Sequence, residues 1–160
     1  MSLWSNLLTT LDASAVAAAM RGSTWLYPAV EVVHIVGFSV LVGSVAMFDL
    51  RVLGFGRSVA VMAAGRLLLP WSMMSMLVIV PAGLLLFSAH PKELAVNQVF
   101  QLKLVLIALA GLNALSFHFG VYRSAPTWKE HAPRLAQLQA AASLGVWIGV
   151  IACGRFLAYS

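Results

Sequence analysis

The chain has 160 residues, of which 61% are hydrophobic and only 9% charged, with a mean hydropathy of +0.92. This composition excludes an ordinary water-soluble domain and describes an integral membrane protein. The net charge of +5 comes from basic residues at the ends of apolar runs, where membrane topology places them, which argues against nucleic-acid binding.

Residues 1–24 read as an N-terminal interfacial segment. They lack the basic start of a secretory signal, so they are expected to stay in the mature protein. Leu3, Trp4, Leu7, Leu8 and Leu11 recur at helical spacing opposite Ser2, Ser5, Asn6 and Thr9, which predicts a short helix lying in the membrane interface. Asp12 is placed to cap a second short helix ending near Gly22.

Residues 25–160 form a single transmembrane domain. Spanning about 30 Å of hydrocarbon takes roughly 20 residues, and the apolar runs supply spans at Trp25–Leu50, Leu67–Ala89, Val99–Val121 and Leu138–Ala158. Pro70 falls in the first turn of the second span, where a missing N–H costs little. Pro81 falls inside it and should kink it, opening room for a ligand. The connection after the first span carries Arg51, Arg57 and Arg66, and that after the third carries Arg123, Lys129 and Arg134, so both should be cytoplasmic. In "HPKELAVNQ" Lys92 is balanced by Glu93. The prediction is an all-α, polytopic four-helix bundle with both termini on the outer side.

Within the first span, "YPAVEVVHIVGFSV" carries Glu31 and His34. Residues three apart share a helix face, and ionisable side chains in a bilayer are expensive and commonly functional. Counted inward at 1.5 Å per residue, Glu31 and His34 lie about 6 and 11 Å from Tyr27, and Lys103 about 9 Å from Asn97. These three share a layer that Arg155 can also reach, while His90 caps the outer end of the second span. His118 lies roughly 20 Å from His34 along the bilayer normal, too far for both to ligate one haem. The layer is either a structural polar cluster, satisfied by Lys103, Arg155 or Tyr27, or a site. As a site, His34 is a metal or haem ligand, Glu31 tunes it or stabilises Lys103, and the basic groups await ligand carboxylates. Glu-x-x-His also occurs in di-iron bundles, but no other span offers a glutamate.

Other features point to packing. Met73, Met74 and Met76 could bind Cu(I) but are common packing residues. Ala141, Gly145, Gly149 and Cys153 repeat every four residues and suit close helix contact, within the bundle or across a homo-oligomer. As the single cysteine, Cys153 excludes an internal disulfide or a CxxC motif. Asn113 is expected to hydrogen-bond between helices, and His131 to lie in a loop.

The first span, with His34, Gly43 and "FDLR", and the third, opening "FQLKLVLI", resemble a clan of small bacterial four-helix membrane proteins. That clan includes the copper-resistance D proteins and the membrane protoporphyrinogen oxidases. "YPAVEVVH", "LLPWSM", "LNALSFH" and "GVIACGRFLAY" most resemble an uncharacterised family beside them. The resemblance implies haem b bound by His34, with Lys103 as a functional lysine. Those relatives tend to carry tryptophan seven residues after the histidine, where this chain has Leu41. Three functional readings follow. The first is a haem b-binding redox protein exchanging electrons with quinone or a periplasmic partner. The second is a copper-handling protein using His34, His90 and the methionines. The third is an accessory subunit whose polar cluster fixes helix register.

Overall fold

A computed structural model describes residues 3–128 and 131–159. Ser2 on the first predicted helix and Lys129 in the second basic connection lie outside them. Among the described residues there is no strand. That follows from the solvent, because a chain in hydrocarbon must satisfy its backbone internally, and a helix does so within one segment.

Two short helices open the chain, α1 at Leu3–Asp12 and α2 at Ala15–Gly22. The cap between them differs from the expected one. Ser14, not Asp12, is the N-cap of α2, its hydroxyl accepting from the Ala17 N–H at 3.2 Å. Asp12 is the last residue of α1, which frees its carboxylate for cations elsewhere. Leu8 is buried, while Leu3, Trp4 and Leu7 stay exposed.

Four helices are long and apolar enough to cross a membrane. They are α3 (Leu26–Leu53), α4 (Val61–Ala89), α6 (Gln98–Phe119) and α7 (Arg134–Phe156). A short helix, α5 (Pro91–Val96), joins the middle pair. It went unpredicted, although Pro91 at its first turn has the fixed φ that suits that place. α3 stops at Gly54, whose φ of +105° is left-handed and whose N–H returns to the carbonyls of Leu50 and Arg51. α6 begins at Asn97, whose Oδ1 accepts from the N–H groups of Val99 and Phe100.

α4 starts at Val61 rather than Leu67, since a helix need not end where the hydrocarbon does and Arg66 can extend toward the interface. Pro70 therefore lies inside α4 together with Pro81, not in its first turn. A 3-10 segment, Val121–Thr127, follows α6, and a second, Leu157–Tyr159, follows α7.

α3 packs against α4 on one side and α7 on the other, and α7 packs against α6. The row is thus α4–α3–α7–α6. Its ends meet through a stacked pair, Phe87 on α4 and Phe100 on α6, with ring centroids 5.6 Å apart. Large side chains such as Leu67, Met73, Leu77 and Leu138 remain exposed along the spans, where lipid rather than water is the expected neighbour.

The tightest packing is at the Arg51 end. Phe48, Val52 and Ala64 cluster with Ala132, Ala136 and Ala140. Phe48 meets Phe117 and Tyr122 edge-on, each at 5.8 Å, a geometry worth about 0.5–1.5 kcal/mol per pair. The Tyr122 ring approaches α4 where Gly65 has no side chain. A Cβ there would stand 2.1 Å from the tyrosine oxygen.

Candidate functional site

His34 lies on the face of α3 that packs against α4. Its Nδ1 is 3.1 Å from the carbonyl oxygen of Ile79. A carbonyl can only accept, so Nδ1 carries the hydrogen, and the neutral ring presents a lone pair at Nε2. No side chain among the described residues hydrogen-bonds to Nε2. The ring fits because position 83 is glycine; a Cβ on Gly83 would come within 3.2 Å of His34 Cε1. Pro81, between Ile79 and Gly83, has no N–H for the Leu77 carbonyl, which loosens the α4 ladder in this turn.

Lys103, on α6, reaches α7, where its Nζ lies 3.8 Å from where a Cβ of Gly154 would be. It is half-buried and close enough to His34 to act on it electrostatically. It makes no ion pair among the described residues. Glu31 is exposed and likewise has no ion-pair partner there, although Tyr27 feels its charge. Arg155 also stands apart: its guanidinium lies 4.6 Å over the Tyr159 ring and donates to the Tyr159 hydroxyl. The structure thus brings His34 and Lys103 into one neighbourhood and leaves Glu31 and Arg155 at its edge.

The same end of the bundle holds a second charged group. Asp12 lies 2.9 Å from Lys92 Nζ and 3.0 Å from Arg21 Nη1. Arg21 also donates to the Ala89 carbonyl at 2.8 Å. These contacts tie α1 and α2 to the end of α4 and to α5. The Lys92 ammonium is the main reason that the Asp12 carboxyl titrates below the usual range. His90, the C-cap of α4, lies 3.6 Å from Glu93.

At the opposite end His118 is exposed, and its ring stacks on Tyr122 at 5.6 Å. Asn113 bridges α6 and α7, donating to the Gln139 carbonyl at 3.0 Å. Met73, Met74 and Met76 are exposed on α4. One residue that spacing did not single out is Asp49, only 7% exposed, whose Oδ2 is buried without a hydrogen-bond partner among the described residues.

Among the described residues no three His, Cys, Asp or Glu side chains gather as a metal cluster would need. A macrocycle that brings its own equatorial nitrogens needs only an axial ligand or two, and the free Nε2 of His34 fits that demand.

A family model described as a family of unknown function (DUF6644) matches residues 17–160, from within α2 through all the spans. Neither the curated proteins nor the solved structures contain a match.

Proposed function

The chain belongs to this family of unknown function (DUF6644), matched over residues 17–160, and for it we propose a haem b-binding membrane redox protein in which His34 would hold the haem iron. The observation that carries the reading is the hydrogen bond from His34 Nδ1 to the Ile79 carbonyl at 3.1 Å. A histidine ligand commonly donates its second nitrogen to a carbonyl or carboxylate, which fixes the tautomer, orients the ring and raises its basicity. The resemblance to the copper-resistance D and protoporphyrinogen oxidase clan points to the same His34 and Lys103.

Haem supplies one-electron chemistry when bound. The chain's own residues do the rest. Ile79 holds the imidazole in one tautomer, and Gly83 leaves room for it against α4. Lys103 offers a cation to a ligand carboxylate, and its partial burial keeps that charge poorly solvated and ready for an anion. Arg155 is a second cation near the same end, held by Tyr159. Glu31, with no ion-pair partner among the described residues, sets the local charge. The apolar spans keep water from the site and open it to lipophilic partners.

In this reading the protein lies in a bacterial inner membrane with both termini periplasmic. It exchanges electrons with quinone in the bilayer or with a periplasmic partner. The test is the absorption spectrum of protein purified in detergent, with metal analysis alongside. A Soret band that shifts on chemical reduction, with iron in the sample, is the expected result. Copper without a Soret band would replace this reading with metal handling, and neither metal would leave a structural role.

A further inference from the structure

We propose that Asp49 is a proton-binding site within the membrane, its carboxyl carrying an exchangeable proton at neutral pH. The site lies about 22 Å along α3 from His34, counted at 1.5 Å per residue, and does not depend on the haem reading.

Asp49 is one of the buried polar residues of the bundle, at 7% exposure beside Phe48 in the aromatic cluster. A carboxylate needs several donors or a cation to remain charged in such surroundings. The Ser143 hydroxyl of α7 stands near the carboxylate, but among the described residues Oδ2 is buried with no hydrogen-bond partner. The titratable groups carried at this end by each neighbouring element do not pair with it among the described residues. Arg51 on α3 donates to the Val59 carbonyl. Arg66 on α4 faces Tyr122 electrostatically. His118 on α6 and Tyr122 on the 3-10 segment stack on one another. Arg57, Arg123 and Arg134 make no ion pair with Asp49.

A second orphan reinforces the point. Gln139 stands one turn before Ser143 on α7, so the two share a face, and its Oε1 is also buried without a partner. Both unpartnered atoms are acceptors that find no donor among the described residues. Protonation supplies one, because a carboxylic acid donates where a carboxylate cannot. In the step itself the Asp49 carboxylate takes a proton from water at the Arg51 end and returns it there. No electron moves.

Infrared spectroscopy of the purified full chain tests this. The chain has two aspartates, Asp12 and Asp49, and Asp12 is held ionised at pH 7 by Lys92 and Arg21. Protein carrying carbon-13 in its aspartate side-chain carboxyls should show, at pH 7, a carboxylic-acid C=O band displaced by the label and again by heavy water. The band should survive in Asp12→Asn and vanish in Asp49→Asn. The label assigns the band to aspartate in the unsubstituted chain, so the test stands even if the Asp49 variant fails to fold. No label-sensitive acid band at pH 7, or one that heavy water leaves unmoved, would overturn the proposal.

Discussion

His34 and Ile79, 45 positions apart in sequence, are joined by a single contact in which an imidazole N–H of α3 meets a backbone oxygen of α4 at 3.1 Å. The bond crosses the most extensive helix interface in the bundle and orients the imidazole. Gly83, one turn further along α4, is what allows the ring to lie there. Gly83→Leu should displace the ring while leaving the spans helical. Cofactor affinity should fall by about 10- to 100-fold, the usual cost of disturbing a ligand's support, as read by haem titration with circular dichroism as the control. Unchanged haem affinity would separate Gly83 from the site.

Gly65 and Tyr122 pose the same steric problem at the other end. A Cβ at position 65 would meet the tyrosine oxygen at 2.1 Å and the ring carbon behind it at 3.2 Å. Gly65→Ala should destabilise the bundle by about 1–3 kcal/mol, as overpacking does. Tyr122→Phe removes the oxygen, so the double variant should recover part of that loss in thermal unfolding. Simple additivity of the two changes would contradict the contact.

Much of this fold was legible because the bilayer imposes it. Span length follows from hydrocarbon thickness, so the long apolar runs around His34, Pro81, Lys103 and Gly149 could be read directly. Helix ends beyond the hydrocarbon obey weaker rules, which is why Val61–Arg66 and Pro91–Val96 were missed and why Ser14 displaced Asp12 as a cap. Depth along the axis placed His34 and Lys103 in one layer, but the rotation of each helix about its axis decides which side chains meet. Spacing alone did not show that Asp49 would turn inward, that Arg155 would stack on Tyr159, or that Glu31 would have no ion-pair partner among the described residues.

The ties on Asp12 have a pH signature. Its carboxyl titrates below the ordinary 3.8, chiefly through its hydrogen bond to Lys92. A lowered carboxyl pKa contributes stability that is present above the unfolded value and lost as pH falls through the folded one. The small difference in thermal stability between the wild type and Asp12→Asn should therefore hold from pH 5 to 8 and fade below about 3.8. A difference that grows in acid would contradict the pairing with Lys92 and Arg21.

Membrane orientation can be read at Ser58, exposed in the connection between α3 and α4. The native Cys153 is buried, so it gives little background. Ser58→Cys should resist an impermeant thiol reagent in intact cells and react after the membrane is opened. Ready labelling in intact cells would invert the proposed topology.

If His34 holds the cofactor and His118 does not, the visible spectra of the two alanine variants will differ. His34→Ala removes the Nε2 lone pair and should abolish the Soret band or shift it strongly, with helix content kept. His118→Ala removes a ring stacked on Tyr122 at 5.6 Å and should leave the spectrum nearly as it was. A Soret band that survives in His34→Ala and is lost in His118→Ala would contradict the account and move the cofactor to the opposite end of the bundle.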